Sequence, residues 1–176
     1  LRTIGGEPTL LDALRAQTLA ATRGNSLFLA HLAGNALQHR PALGWLGQLS
    51  TEGTGAHRGR TDLKHKGAVP VIDLARIFAL AAGAPEVNTF DRIEAAAREG
   101  TLSASAAKDL AEALEFIGRI RLDHQARQTA KGERPDNFVA PSELSNLARR
   151  QLQDAFKVIQ TLQSVLQQRY GGGSYK

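Results

Sequence analysis

Residues 103–130 read SASAAKDLAEALEFIGRIRLDHQARQTA, and this stretch decides the fold class. Ser103 suits a helix N-cap, because its hydroxyl accepts a free backbone N–H of the first turn. Leu110, Leu114 and Ile117 then recur at the spacing of one helical face. The segment is expected to run to about Ala130, with Gly132 and Pro135 forcing a connection. Arg121 and His124 extend the same face, so the core-facing edge of this helix turns polar at its far end.

The same logic applies on either side. Thr9 with Asp12 resembles a capping box for a helix ending near Thr22, and Gly24-Asn25-Ser26 breaks and re-caps the chain. The next helix carries Leu29, Leu32 and Ala36 on one face and stops before Pro41. Residues 41–68 are Gly-rich with little helical periodicity, and are expected to form a loop with two short strands, at 46–49 and 61–64, turning at Gly67. Pro70 suits a first helical turn, with Val71, Leu74, Phe78 and Ala81 as its buried stripe and Gly83 as its stop. Thr89 is expected to cap a short helix to Arg98. Ser145 opens a last helix carrying Leu152, Phe156, Ile159, Leu162 and Leu166 on one side, with 171–176 as a flexible tail. The prediction is an all-α bundle of about six helices, with a small irregular or β-hairpin-like insertion near 41–68, forming a single domain over 1–170.

Composition narrows the function. The 176 residues are 42% hydrophobic, ordinary for a packed core, but only 5% aromatic. No apolar run nears the roughly 20 residues that span a bilayer. With no Cys, disulfides and thiolate metal sites are excluded. Since the chain starts at Leu1 and contains no Met, it is expected to be a piece of a longer protein. The net charge of +5 favours an anionic partner. The positive charges are spread out, and the basic run His57, Arg58, Arg60, Lys64, Lys66 lacks interleaved aromatics. That pattern suits a phosphate-bearing small molecule better than nucleic acid.

Metal-dependent phosphoryl transfer needs carboxylates close together to hold Mg²⁺. No two of the seventeen Asp and Glu stand two residues apart; the nearest spacing is three, as at Glu112 and Glu115. There is no Gly-x-x-x-x-Gly-Lys loop, no Gly-x-Ser-x-Gly elbow and no His-x-x-x-His pair, so no metal site is expected and no self-contained catalytic motif is present.

The candidate binding residues each have two readings. His124 could be a hydrogen-bonded histidine at the core edge, or could present an anion with donors together with Arg121 one turn earlier. Asp62 and Lys64 would share one side of a strand while Leu63 anchors the other, or form an ordinary exposed ion pair. Arg76 sits in an apolar helix and needs a partner if buried, for which Asp73 is the local candidate. Arg92 could line a site or join a surface network with Glu99 or Glu115, and Glu115 with Arg119 reads as a surface pair.

One ordered set of motifs carries a family resemblance. It comprises Asp62-Leu-Lys64, Gly67-x-x-Pro70-x-x-Asp73-x-x-Arg76, Asn88-Thr89-x-x-Arg92, Glu115, Arg121-Leu-x-His124-Gln125, Asn137 and Leu144-x-x-Leu147. Over roughly 27–166 the chain resembles the nucleotidyltransferase substrate-binding domain family. It departs at Trp45, where phenylalanine is commoner, and at Ala148, where an acidic residue is common.

The resemblance implies the C-terminal helical domain of a cytoplasmic signal-transduction protein that also carries cyclic-nucleotide-binding, CBS-type and nucleotidyltransferase domains. It implies an architecture similar to the uridylyltransferase of the nitrogen-regulatory PII protein. Mg²⁺ and a nucleoside triphosphate would then belong to an upstream catalytic domain, and this chain would supply no catalytic residue. Asp62, Lys64 and Arg76 would line one side of a shared cleft, with Arg121 and His124 opposite and Arg92 near the rim. A nucleotide or an acidic acceptor would be the ligand, and Asp62 or Glu115 could orient or deprotonate an acceptor hydroxyl. The rival reading is a regulatory or oligomerisation module, with the leucine stripe and Gln-rich face of the last helix forming a homodimer.

Overall fold

The structure, a computed structural model, describes residues 5–44 and 47–171. Six α-helices form a bundle: α1 (Pro8–Thr22), α2 (Ser26–Ala36), α3 (Val69–Ala82), α4 (Thr89–Arg98), α5 (Ala104–Ala130) and α6 (Asn146–Tyr170). A two-stranded antiparallel ladder, β1 (Thr61–Asp62) and β2 (Phe138–Val139), closes one end.

Several helix ends follow from single side chains. Asn25, Ser103 and Ser145 each accept a backbone N–H from the first turn of α2, α5 and α6. Gly83 ends α3 at φ 72°, a left-handed conformation that costs a glycine little. Two expected caps shift by a residue or more. α1 starts at Pro8 with Glu7 before it, and the Thr9 hydroxyl turns back to Glu7 rather than capping. α4 is capped by Asn88, whose side chain accepts from Phe90, with Thr89 already helical.

α3 runs through the middle of the bundle. Val71, Leu74, Ala75 and Phe78 are completely buried, against α2, α4 and α6. From α5 the core takes Leu110, Ile117 and Ile120, with Leu114 only half-buried; from α6 it takes Leu152, Phe156, Ile159, Leu162 and Leu166. The leucine stripe of α6 is therefore spent inside its own bundle, and cannot serve as the dimer face the rival reading required. Gln163, buried beside it, donates to the His39 carbonyl at 2.7 Å and ties the end of α2 to α6. α1 is peripheral: only Thr22 is buried, and Leu10 and Leu14 stay exposed on its outer face.

The insertion differs from expectation in its pairing. Residues after α2 form an irregular excursion with two isolated bridges, Leu43 with Leu49 and Glu52 with Arg58. Trp45 and the start of the expected strand at 46–49 lie outside the described residues. The strand expected over 61–64 ends at Asp62, and its partner is β2 from the connection after α5. The chain then makes a single π-helical turn, Lys64–Ala68, and passes straight into α3. Gly67 is not a hairpin turn. It lies buried in this wide turn, where a Cβ would stand 3.2 Å from Ile117 Cγ2 and 3.3 Å from Phe156 Cε1.

Those neighbours are core atoms with little room to yield. Gly67→Ala is expected to lose about 1–2 kcal/mol through overpacking, read as a lower urea midpoint. An unchanged or raised midpoint would mean the turn relaxes outward freely.

Candidate functional site

Four polar residues project from one face at the far end of α5: Arg121, His124, Gln125 and Gln128. Each meets the segment that leads into β2. Arg121 donates to the Asn137 side-chain oxygen from Nε at 3.1 Å and from Nη2 at 2.6 Å. His124 is buried, with Nε2 2.9 Å from Asp136 Oδ1 and Nδ1 3.7 Å from Glu143. Because Asp136 is an acceptor-only carboxylate, Nε2 carries the proton in that pair. The backbone N–H of Asp136 donates to Gln128 at 2.8 Å, and Gln125 donates to the Asp136 carbonyl at 3.2 Å.

This latch holds β2 against β1, and β1 holds Asp62. The Leu63 N–H donates to the Asn137 carbonyl at 3.0 Å. Asp62 is buried, and its Oδ1 accepts from the backbone of Lys64 (2.9 Å) and of His65 (3.0 Å). Its Oδ2 lies 2.8 Å from His65 Nδ1. Asp62 thus fastens the π-helical turn on which Lys64 stands exposed. The His57 ring stacks on Phe138 at 3.6 Å, covering the ladder.

Both aspartates titrate low. At Asp62 burial pushes the carboxyl upward, but hydrogen bonds from His65 and Lys64 and the His65 charge together hold it below the ordinary value. At Asp136 burial is again the largest single effect, outweighed by the Phe138, His124 and Gln128 hydrogen bonds and the His124 charge. A carboxylate with a depressed pKa is a weak base, so the general-base role considered for Asp62 gains no support.

Depressed folded values stabilise the protein above the unfolded carboxyl value and cease to do so as pH falls through the folded ones. Stability is therefore expected to fall below about pH 4, and Asp62→Asn to flatten that fall. Thermal melts from pH 6 to acid check this; an identical acid limb in Asp62→Asn would remove Asp62 from the account.

A second cluster lies on α3 and α4. Arg76 stands seven residues after Val69, about 10 Å along the helix from the π-helical turn. Its Nη1 meets Asp73 Oδ1 at 2.7 Å, as the spacing predicts. Its side chain stays 43% exposed, so of the two positions open to it, buried or at the surface, Arg76 takes a half-open one. Asp73 Oδ2 also lies 3.8 Å from His39. Arg92 donates from Nε to the Glu86 carbonyl at 2.9 Å, while Glu99 pairs with Arg98. Burial, followed by the charge of Arg76, lowers the Arg92 pKa, so the two guanidinium groups feel one another. Arg92 has no carboxylate ion pair among the described residues.

The candidate residues therefore gather at two stations. Asp62, Lys64, Arg121 and His124 belong to the ladder end, and Arg76 and Arg92 to the α3–α4 face. Asp136, Glu143 and Glu86 were missed because a connection carries no periodicity to aim a side chain. The available signal was four polar α5 residues at core spacing, which require partners somewhere. Glu115 and Arg119 do not form the expected pair; the Arg119 guanidinium lies 5.1 Å over the Phe116 ring.

The sequence model of one family, described as "putative nucleotidyltransferase substrate binding domain", matches residues 26–170. The chain belongs to that family. The match takes in α2 through α6 and every candidate residue, while α1 precedes it. Neither the curated proteins nor the solved structures include a match to the chain. In this substrate-binding domain no helix among the described residues is long and apolar enough to cross a membrane.

Proposed function

We propose that the domain forms one wall of the cleft in which an upstream nucleotidyltransferase domain of the same protein works. Arg76 and Arg92 hold a phosphate of the nucleotide, or a carboxylate of an acidic acceptor. Lys64 adds a mobile positive charge from the π-helical turn. Asp62, Arg121 and His124 act as positioning residues, because their polar atoms are engaged in holding that turn and the ladder. Mg²⁺ and the nucleoside triphosphate belong to the catalytic domain. The parent is a uridylyltransferase-like, cytoplasmic signalling protein with CBS-type and cyclic-nucleotide-binding domains.

The observation that carries this reading is that two arginines from different helices feel each other's charge, while only Arg76 has a carboxylate partner, Asp73. Like charges brought together and partly dehydrated raise each other's cost, and an arriving anion removes it. Among the described residues, the Arg92 guanidinium bonds only to a backbone carbonyl. The interaction-module reading rests instead on Leu10, Leu14, Leu27 and Phe28, which α1 and α2 leave exposed.

Calorimetric titration with UTP and with ATP tests the proposal. Arg92→Ala is expected to weaken binding by about tenfold or more, the scale of one charge-assisted hydrogen bond, with the melting temperature little changed. Equal affinity in wild type and Arg92→Ala would sink the assignment.

A further inference from the structure

A groove outside both clusters runs between α5 and α6, with a volume of about 430 Å³. We propose that it docks a cationic amphipathic helix of a partner protein. The inference is independent of the Arg76–Arg92 reading, since no residue is shared.

The groove has the two chemistries such a helix needs. Its floor is apolar: Ala113 and Ala155, with their short side chains, leave a hollow above the seam of the two helices, and Phe116 and Val158 wall it. Its rim is acidic, with Asp109, Glu112 and Glu115 spaced three apart along α5 and Asp154 facing from α6. Arg119 is the single cation in the lining, and it is drawn onto the Phe116 ring. This acidic face belongs to a chain of net charge +5.

The carboxylates are poorly satisfied within the chain. Glu112 reaches Lys108 only at 3.9 Å, and Asp154 meets Lys157 at 2.8 Å, both pairs being well exposed. Exposed pairs of this kind contribute about 0–1 kcal/mol and exchange readily for a partner's lysines. Asp109 and Glu115 have no ion-pair partner among the described residues. Unpaired like charges along one helix face repel each other, and a cationic partner relieves that.

Shape favours a helix over an ion. Among the described residues no group of three His, Cys, Asp or Glu could hold a metal. The α5 lining from Asp109 to Arg119 extends about 15 Å, matching nearly three turns of a docked helix. Each wall continues past one end into an exposed leucine: Leu122 follows Arg119 at 67% exposure, and Leu147 precedes Gln151 at 68%. Both lie one turn further along the groove-facing stripes. An apolar stripe at positions i, i+4 and i+7 would therefore meet floor and leucines while its flanks reach the carboxylates.

The test uses the full chain and a fluorescein-labelled peptide of Leu and Lys, about 18 residues long so that it is helical alone. A scrambled peptide of the same composition and free spermine are the comparisons. The amphipathic peptide is expected to bind at least tenfold more tightly than the scrambled one. Binding is expected to weaken with salt, and to weaken about tenfold in Glu112→Lys/Glu115→Lys and again in Leu147→Asp. All of these substitutions are on exposed side chains, and unchanged melting curves will show the fold is kept. Equal binding of the scrambled peptide, full competition by spermine, or indifference to Glu112→Lys/Glu115→Lys would overturn the proposal. So would sedimentation showing that the chain covers this groove with its own second copy.

Discussion

Phe156→Ala is expected to lower stability by about 4 kcal/mol, more than Asp136→Ala or Gly67→Ala. The ring is completely buried on α6, and it bounds the space left by Gly67 in the π-helical turn. Removing it deletes the transfer free energy of a phenyl group and opens a cavity that α5, α6 and the turn cannot all close. For a chain of this size the melting temperature should drop by about 10 °C or more. Because the turn loses its floor, amide exchange should quicken at Ala68 and Val69, whose N–H groups bond back to Leu63 and Lys64. A loss below about 1 kcal/mol would mean that the turn collapses into the cavity, and that Gly67 and Phe156 are not a fitted pair.

Asp136→Ala is the second large loss, about 3 kcal/mol. The carboxylate accepts from the Phe138 N–H at 2.9 Å and from His124 Nε2 at 2.9 Å, and Arg60 stands 3.9 Å away. The His124 side chain is only 5% exposed, so water replaces the lost partner poorly. Two donors would be stranded at once, each costing about 1–3 kcal/mol when unsatisfied. Asp136→Asn retains an acceptor oxygen and is expected to cost less. Urea midpoints of the two variants decide the matter. Equal, small losses would reduce the latch to a surface contact, and leave β2 held by its ladder alone.

The ladder end shows how a correct local reading can still miss its partner. Arg121 and His124 were legible as polar residues on a core-facing stripe, and so was the need for something to satisfy them. An external anion and an internal carboxylate meet that need equally well on paper. Asp136 and Asn137 supply that partner from the protein's own atoms, and Arg121 and His124 fasten β2. Arg76 illustrates the converse. Asp73 was predictable as its partner from a one-turn spacing, but the approach of Arg92 from α4 was not, because it depends on how two helices pack.

What the amino-acid order determined alone is local. Asn25, Ser103 and Ser145 start helices, Gly83 ends one, and the 3–4 periodicity of α3, α5 and α6 commits their apolar faces to a shared core. These effects act within one or two turns, so a single chain segment carries all the information. Tertiary structure alone decided which distant groups meet: β1 with β2, Asp136 with His124, Arg76 with Arg92, and the hollow over Ala113 and Ala155 where α5 packs on α6. Strands of two residues have no readable period. Side-chain partners in a connection are chosen by packing after the helices assemble, when burial makes every unsatisfied polar group costly.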